Sequence, residues 1–415
     1  MKITLARVDG PYRSTNQHDL LYLGSSKSNS TRARVRFSSS RKRARQRPTV
    51  AIIGTRGYPS YYGGFETAVR RIAPDLADRG WTVRVYGRRT ALHPSDPDID
   101  RRVESVVTAG MDSKSLSTLT YGFTSVLHAF FTRPDVALVM NVANGFWLPL
   151  LRLRGVPTVV NVDGIEWHRD KWSRLGKAVF RWGARFTARF ADELVFDAEA
   201  IADFWRREFG RTGAFIPYGG ESITDTRSDA DLADGRYVLL VARFVPENSI
   251  DVFFDAAPTI IEKCDVDVVL VGSAPPGDPL QARADKLAHT NPRVHVKGHI
   301  SDDRLLFGLW RDAGVYFHGH TVGGTNPALV QAMTLGSRVV ARDTVYNREV
   351  LADTGHFCQG TPESVVDAVV AAFNDERDLE RLTSARATSH YSWQLVCDRY
   401  ADVLTAQLRS RRPAT

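Results

Sequence analysis

After its first 48 residues, the sequence alternates short β-branched runs with longer amphipathic stretches. The first run, at 49–54, leads directly into a glycine-rich turn and a helical stretch at 66–79. Further runs at 82–86, 136–140 and 158–162 have the composition of buried parallel strands. This βαβ rhythm predicts an α/β chain built on a doubly wound parallel sheet.

The rhythm is interrupted once and then restarts. A turn-rich break at 217–220 is followed by a polar, acidic stretch that reaches Gly235. Strand-like runs then return at 237–242, 266–271, 294–296, 314–317 and 338–341. Two consecutive α/β domains with a hinge near 218–235 explain this pattern better than one large sheet.

The net charge of +8 is concentrated at one end of the chain. The first 48 residues carry +10, so the remaining residues carry −2. Residues 1–47 are rich in Ser and Arg without apolar periodicity, and we predict a disordered basic tail. A dispensable extension, a tether to anionic lipid, a transit peptide and a nucleic-acid arm remain open for this tail. Because the body is not basic, we expect no nucleic acid as its partner.

Cysteine usage and hydropathy favour a cytoplasmic protein. The three cysteines, Cys264, Cys358 and Cys397, are far apart and form no disulfide or metal-binding pattern. No apolar run reaches the roughly 18 to 20 residues of a membrane span. We therefore expect a reducing compartment, with peripheral contact at the inner face of the plasma membrane as a further expectation.

Two polar segments of the first half follow predicted strands. In the segment 54–67, paired glycines before a helix let the backbone approach a ligand and direct its amides at an anion or hydroxyl. The segment lacks the G-x-G-x-x-G spacing of dinucleotide-binding turns, and a turn that serves only packing is the alternative. In the segment 161–168, ionisable side chains could supply a base or orient sugar hydroxyls, while capping of the next helix is the alternative.

The second half contains a candidate anion site. Arg243 follows a predicted strand at the edge where ligands of parallel sheets bind, although a surface ion pair explains it equally well. The segment 318–327 precedes a helix, with Asn326 as the predicted N-cap and Pro327 at the first helical position. Such a helix start offers amides and a positive dipole to an anion. His318 and His320 lack partners at zinc-binding spacing, so we expect them to line a cleft.

A basic amphipathic helix is predicted between Lys171 and Arg189. Basic residues recur there at three- and four-residue intervals, and an apolar series from Trp172 to Phe186 recurs on a different face. The helix could lie against anionic lipid or phosphate, or it could pack on the core with a solvated charged face.

Taken together, these blocks resemble the GT-B glycosyltransferases, in particular the rhamnosyltransferase-like branch of the retaining glycosyltransferase family 4. The resemblance rests, in order and spacing, on segments 54–67, 161–172, 216–220, 241–251 and 319–333. It implies two Rossmann-like doubly wound domains that face a central cleft, with a C-terminal helix that crosses back. The implied parts are an acceptor-side domain at 48–218, a hinge at 219–235, a nucleotide-sugar domain at 236–388, and a crossover helix and tail at 389–415.

The resemblance also implies an activity. A sugar, L-rhamnose in this branch, would move from a nucleotide-diphosphate donor to a saccharide acceptor, either free or linked to a lipid such as polyprenyl diphosphate. Transfer would retain the anomeric configuration, require no bound metal or cofactor, and serve cell-surface polysaccharide or glycolipid synthesis. The leaving phosphate would itself help to deprotonate the acceptor.

Family site residues carry over by position in the motifs. The implied catalytic residues are Arg243, Asp163 and Glu66. The implied acceptor-side residues are Arg56, Gly63, Gly64, Glu66, Asp163 and His168. The implied donor-side residues are Arg243, Asn248, Gly298, His299, Ile300, His318, Gly323, Gly324, Thr325, Asn326 and Gln331.

Several positions depart from the family pattern. Gly323 and Gln331 stand where broader family members carry two glutamates, and Asn248 stands where a lysine is usual. Val162 occupies the position of a catalytic histidine, with His168 as a candidate substitute. These departures leave two alternatives open, a sugar-nucleotide epimerase on the same fold and a catalytically silent sugar-nucleotide-binding protein.

Overall fold

A computed structural model describes residues 47–410 apart from 62, 90–95, 97–98, 112–116, 170–171 and 233–234. Residues 1–46 of the predicted disordered tail lie outside the described residues. No helix among the described residues is long and apolar enough to cross a bilayer.

The first half of the chain forms a seven-stranded parallel sheet in the order β3-β2-β1-β4-β5-β6-β7. Its strands are β1 (Thr49–Ile53), β2 (Thr82–Gly87), β3 (Val103–Val107), β4 (Val136–Met140), β5 (Thr158–Asn161), β6 (Glu193–Phe196) and β7 (Ala214–Phe215). Its helices are α1 (Gly64–Asp78), α2 (Ser117–Thr132), α3 (Leu148–Leu153), α4 (Arg174–Phe190) and α5 (Glu199–Phe209). The four strands predicted in this half are confirmed to within one residue.

The second half forms a six-stranded parallel sheet in the order β10-β9-β8-β11-β12-β13. Its strands are β8 (Tyr237–Val241), β9 (Asp267–Val271), β10 (Val294–Gly298), β11 (Val315–His318), β12 (Val339–Arg342) and β13 (His356–Cys358). The helices are α6 (Ile250–Cys264), α7 (Pro279–Thr290), α8 (Asp303–Asp312), α9 (Pro327–Thr334), α10 (Val345–Leu351), α11 (Pro362–Phe373), α12 (Leu379–His390) and α13 (Trp393–Ser410). The five predicted strands are confirmed to within two residues.

Both sheets are buried on two faces, as parallel sheets require. In the first sheet, α1 and α13 pack on one face, while α2 to α5 cover the other. In both sheets the strand order reverses beside the first strand, between β1 and β4 and between β8 and β11. Ligands of doubly wound folds bind at such switch points, outside the carboxyl ends of the strands. The predicted pair of Rossmann-like domains is therefore confirmed.

The last helix returns to the first domain. Val396, Tyr400 and Leu404 of α13 are buried in the core beside α1 and the first sheet. The amide of Asn161, at the end of β5, donates to the hydroxyl of Tyr400 (2.7 Å). The chain thus crosses between the domains twice.

The two crossings lie side by side. The amide of Gly220 donates to the carbonyl of Tyr391 (2.8 Å), and Gly220 forms a parallel bridge with Ser392. A Cβ atom on Gly219 would lie only 2.6 Å from the Trp393 side chain, so glycine permits this close approach. Any hinge motion of the predicted segment 219–235 must therefore involve both crossings.

Helix α4 is confirmed, and its predicted apolar series is divided between the core and the surface, since Trp172 packs against the core. Leu175 and Trp182 are 75% and 54% exposed. The helix packs on the core through Phe180 and Ala184. It also approaches the turn at 142–147 closely, because a Cβ atom on Gly183 would lie 2.7 Å from the carbonyl oxygen of Val142. Both alternatives for this helix therefore stay open, since one side packs on the core and another exposes apolar and basic residues.

Candidate functional site

The loops that follow the strands of the two sheets meet in a cleft. The loop after β6 contacts the loop after β11, because the Thr325 amide donates to the carbonyl oxygen of Asp197 (3.2 Å) and the Thr325 hydroxyl donates to the same atom. A Cβ atom on Gly324 would collide with the Asp197 carboxyl group. The glycine therefore lets the second domain approach the first at this point.

Within the second domain, the loop after β8 is hydrogen-bonded to the loop after β11. The Asn248 amide donates to the Arg243 carbonyl oxygen (2.9 Å), which fixes the loop after β8. The amide and hydroxyl of Thr321 donate to the Glu247 carbonyl oxygen at 3.0 and 2.9 Å. Asn248 therefore holds the loop that carries Arg243. The Arg243 guanidinium itself has no hydrogen-bond or ion-pair partner within the described part of the chain.

The two histidines after β11 are stacked, with ring centroids 4.5 Å apart. Burial, and next the neighbouring His320 ring, lower the pKa of His318 well below its usual range. Burial and the nearby cations Arg243 and Arg169 lower the pKa of His320 to about 3. Both rings are therefore neutral at physiological pH. Among the described residues, His318 Nε2 and His320 Nδ1 are buried atoms without a hydrogen-bond partner.

The predicted start of helix α9 is confirmed. The Asn326 side chain caps the helix by accepting from the Ala328 amide (2.9 Å), and Pro327 occupies the first turn. The amide of Thr325, which we predicted to face the donor, is used by Asp197 in this structure. The positive end of the α9 dipole still points toward the cleft beside Gly323.

The side chain of Gln331 forms hydrogen bonds within the protein rather than being free to contact a donor. Its side-chain oxygen accepts from the Glu221 amide (2.9 Å), and its nitrogen donates to the Glu221 carbonyl (3.0 Å). Glu221 in turn accepts from Arg71 Nε of α1 (2.8 Å). In this arrangement Gln331 ties α9 to the crossing segment and through it to the first domain.

The segment after β10 contains the predicted donor-side residues Gly298, His299 and Ile300. Gly298 adopts a left-handed conformation (φ 65°), and its carbonyl accepts from the Gly272 amide (2.7 Å). His299 is exposed, and Ile300 packs against the core. Backbone rather than side-chain groups are therefore what this segment offers to a ligand.

In the first domain, Glu66 supports the glycine-rich turn. It is 6% exposed, and its Oε1 accepts from the Arg56 amide (3.0 Å). Gly64 faces the ring of Tyr218, to which a Cβ atom would approach within 3.2 Å. The turn is thus held against Tyr218, while Gly63 lies beside the Glu66 carboxyl group.

Acidic groups gather at this side of the cleft. Asp163 adopts a left-handed conformation (φ 55°), and its amide donates to Asn161 Oδ1 (2.9 Å). Burial, and next the charge of Asp163, raise the pKa of Asp197 well above its usual range. Burial and the charges of Asp163 and Asp197 raise the pKa of Tyr218 in the same way. Tyr218 therefore lies among these carboxyl groups as a neutral phenol.

His168 lies on the surface rather than deep in the cleft. Its ring is exposed and packs edge-on against Trp167 and Phe204, at centroid distances of 6.1 and 5.6 Å. Its role as a substitute catalytic histidine stays a prediction.

The residue that sequence reasoning missed is Arg169. Its Nη1 pairs with Glu166 Oε1 (3.1 Å), and the two side chains are 16% and 5% exposed. Its Nη2 lies 3.3 Å from the position that a Cβ atom on Gly323 would take. A cation of the first domain thus reaches the N-terminal end of α9 in the second. The available signal was the i,i+3 spacing of Glu166 and Arg169 after a buried strand.

Asp197 and Tyr218 were also missed. Asp197 follows β6, which was not predicted, and an acidic residue directly after the buried run of β6 was the available signal. Tyr218 lies in the motif at 216–220, yet no spacing rule distinguishes it from a packing residue.

Two family models match this chain, one for each domain. Residues 63–219 match the model described as Glycosyl transferase 4-like domain. Residues 235–375 match the model described as Glycosyl transferases group 1. Together they cover more than two-thirds of the 415 residues.

The chain is also similar to characterised relatives. It is 28% identical over 364 residues to the phosphatidyl-myo-inositol mannosyltransferase of Mycobacterium leprae, covering 80% of this chain and 90% of that protein. It is 28% identical over 223 residues to the enzyme of the same name from Mycobacterium tuberculosis, covering 49% and 58%.

Solved structures share the fold. Sucrose-phosphate synthase from Thermosynechococcus elongatus superimposes with a TM-score of 0.70 at 16% identity, over 88% of this chain and all of that one. Anabaena Alr3699/HepE in complex with UDP superimposes with a TM-score of 0.67 at 16% identity, over 86% and 100%.

Proposed function

Because the two domains of this chain are those of a GT-B glycosyltransferase, we propose that it transfers a hexose from a nucleotide-diphosphate sugar to a lipid-linked acceptor with retention of configuration. One observation carries the proposal. Arg243 of the second domain and Arg169 of the first both act on His320, beside the N-terminal end of α9. Two cations near His320, one of which reaches the N-terminal end of a helix, suit the binding of a diphosphate.

The reaction demands this distribution of charge. Cleavage of the anomeric C–O bond places negative charge on the departing diphosphate and positive charge on the sugar. In our proposal, Arg243, Arg169 and the α9 dipole stabilise the diphosphate from the basic side of the cleft. Asp163 and Glu66 face the sugar and acceptor from the acidic side.

Retention follows from front-face substitution. The acceptor oxygen forms its bond to the anomeric carbon on the face from which the diphosphate leaves, and its proton passes to an oxygen of the leaving phosphate. Asp163 orients the acceptor hydroxyl in this scheme. Glu66 acts as a positioning residue, because its carboxylate already accepts from the Arg56 amide.

The identity of the sugar is the finer part of the proposal. The two mycobacterial relatives are named as phosphatidyl-myo-inositol mannosyltransferases, which supports mannose and a lipid acceptor. The resemblance at 161–172 supports L-rhamnose. Side-by-side turnover with GDP-mannose and with dTDP-rhamnose decides between the two sugars.

Protein cations supply the charge that a metal ion would otherwise supply, and we propose that transfer needs no metal. Turnover should then persist in EDTA at an unchanged rate. A loss in EDTA that Mg²⁺ restores would contradict this part of the proposal.

The proposed activity is tested by incubating the protein with a panel of nucleotide sugars, with and without a lipid-linked acceptor. Free nucleoside diphosphate and the identity of the sugar are followed together. Release that depends on the acceptor is the expected result. Isomerised donor without acceptor would identify an epimerase, and binding without any conversion would identify a silent binding protein.

A further inference from the structure

Three neighbouring segments of the first domain contain no acidic residues, although Glu208 of α5 forms an ion pair with Arg181 of the third segment (3.0 Å). These segments, 117–133, 142–155 and 174–190, are here named the helical face; they include α2, α3 and α4 and contain no Asp or Glu. They hold eight basic residues, namely Arg133, Arg152, Arg154, Arg174, Lys177, Arg181, Arg185 and Arg189. Because residues 49–415 as a whole carry −2, positive charge is concentrated at this surface.

The helical face also collects exposed apolar side chains. Among the described residues, eight large apolar side chains are exposed, and five of them lie on this face. They are Phe123 (37%), Phe131 (70%), Leu153 (79%), Leu175 (75%) and Trp182 (54%). Such clustering on one surface marks an interaction site, whereas single exposed apolar residues do not.

Aromatic rings connect the three segments. Phe123 of α2 contacts Trp147 at a centroid distance of 4.9 Å, and Phe146 contacts Phe186 of α4 at 5.3 Å. Phe186 continues to Phe190 at 5.7 Å. The aromatic series runs across the face from one helix to another, so the face acts as one surface.

Arginines lie over the aromatic rings of this surface. The Arg185 guanidinium is 4.9 Å from the centroid of Trp182, and that of Arg189 is 5.6 Å from Phe190. Arginine and aromatic side chains together suit the boundary between lipid headgroups and acyl chains, where the rings enter the apolar layer and the cations contact phosphates.

The face begins beside the cleft. Helix α4 starts five residues after Arg169, and Trp172 between them packs on Phe180 of the same helix (4.8 Å). A small pocket of the first domain is lined by Tyr121 and Gly122 of α2 together with Gly54 and Thr55 of the glycine-rich turn. The acceptor side of the cleft and the helical face therefore share two helices.

We propose that the helical face is the docking surface for a bilayer that contains anionic phospholipid. Its arginines bind lipid phosphates, and Trp182, Leu175 and Leu153 enter the interfacial layer. The placement brings a lipid-linked acceptor to the first-domain side of the cleft, and in this respect it rests on the proposed function.

Vesicle co-sedimentation of the full chain tests the docking surface. The probes are vesicles of phosphatidylcholine with and without phosphatidylglycerol. Replacing Arg181, Arg185 and Arg189 by Gln should weaken binding to the anionic vesicles about 100-fold, because each cation contributes about fivefold near such a surface.

A matched variant controls for net charge. Arg283, Arg304 and Arg381 lie on the second domain with side chains 42%, 60% and 74% exposed, and replacing them by Gln removes the same three charges. This control should bind like the wild type. Equal weakening in both variants, or unchanged binding in both, would overturn the proposal.

Brominated lipids provide a second readout that does not depend on charge. Trp182→Phe keeps an aromatic ring but should remove most of the tryptophan quenching seen when the wild type binds vesicles with brominated acyl chains. Undiminished quenching would contradict insertion of Trp182. Self-association that Trp182→Ala abolishes, with vesicle binding unchanged, would assign the face to a second copy of the chain and overturn the lipid proposal.

Failure of docking can be told apart from failure of the proposed function. Vesicle binding is measured without substrates. With a water-soluble acceptor analogue, the triple variant at Arg181, Arg185 and Arg189 should turn over like the wild type, and it should lose activity only with a vesicle-embedded acceptor. Equal loss with both acceptors would count against the docking surface.

Discussion

The two sheets share their strand order, yet the edges that face each other carry different ionisable side chains. The first domain presents the carboxyl groups of Glu66, Asp163 and Asp197 together with the Arg169 guanidinium, whereas the second presents Arg243 and two neutral histidines. The same topology thus positions two different chemistries. The fold thus fixes where a ligand binds, while the loop residues decide which charged groups each domain presents to it.

Both edges hold buried polar atoms without a hydrogen-bond partner among the described residues. Asp197 Oδ1 lies at the first-domain edge, and His318 Nε2 and His320 Nδ1 lie at the second-domain edge. Glu66 and Asn161, in contrast, have partners. Buried polar atoms without a partner are costly unless a ligand satisfies them. Both domains therefore present such atoms to a ligand in the cleft.

Of the variants considered, Arg243→Ala should lower activity the most, because it removes the cation of the second-domain edge. One charge-assisted contact to a phosphate contributes about 1.5 to 3 kcal/mol, so kcat/KM for the donor should fall by about 10-fold to 100-fold. Steady-state kinetics with varied donor measure the loss, with Arg243→Lys as the control that retains charge. Near-normal turnover of Arg243→Ala would remove this residue from the donor site.

Arg169→Gln tests whether the first domain contributes to the basic half. We expect about a tenfold rise in KM for the donor, because the guanidinium is ion-paired with Glu166 and part of its charge is already neutralised. Glu166→Gln serves as the partner variant, since it leaves Arg169 in place. A change in acceptor KM alone would assign Arg169 to the acceptor side and contradict its role in donor binding.

Thr325→Val tests the contact that joins the two edges. The variant removes the hydroxyl donor to the Asp197 carbonyl but keeps the shape and the amide hydrogen bond. A neutral hydrogen bond contributes about 1 kcal/mol, so we expect about a fivefold rise in donor hydrolysis relative to transfer, as closure weakens. Thr325→Ser should behave like the wild type. An unchanged ratio of hydrolysis to transfer in Thr325→Val would show that this contact does not govern closure.

The smallest predicted effect is that of His320→Asn on the pH dependence of the free energy of unfolding. The His320 pKa of about 3 in the folded protein lies below the ordinary value of 6.5, so the unfolded chain binds the proton first. The stability that the neutral ring contributes is present above pH 6.5 and is lost as the pH falls. Between pH 7.5 and 5.5, the free energy of unfolding should drop by about 1 kcal/mol more in the wild type than in His320→Asn. Parallel denaturant titrations would show equal drops if the ring were not buried as a neutral group.

Local patterns predicted the parts of the fold that depend on local physics. The strand cores and the Asn326-Pro327 helix start follow from β-branched runs and capping chemistry, which act within a few residues. The short edge strands β7 and β13 were missed because two or three residues carry too little pattern. Strand β3 was not predicted because Glu104 and Ser105 interrupt its apolar run.

The site was only partly predictable for a different reason. Arg243 and the glycine-rich turns were found because they directly follow strands. The contact between Asp197 and Thr325 joins residues 128 positions apart, and the approach of Arg169 to Gly323 depends on how the domains meet. Sequence patterns within one domain carry no information about such contacts.

A double-mutant cycle on nucleoside diphosphate binding tests the central claim, that one diphosphate site is built by both domains. Calorimetry would compare the wild type, Arg243→Ala, Arg169→Gln and the double variant. We predict that each single variant weakens binding and that the losses are not additive, with a coupling of at least about 0.5 kcal/mol. Strictly additive losses, or no loss in Arg169→Gln, would contradict a shared site.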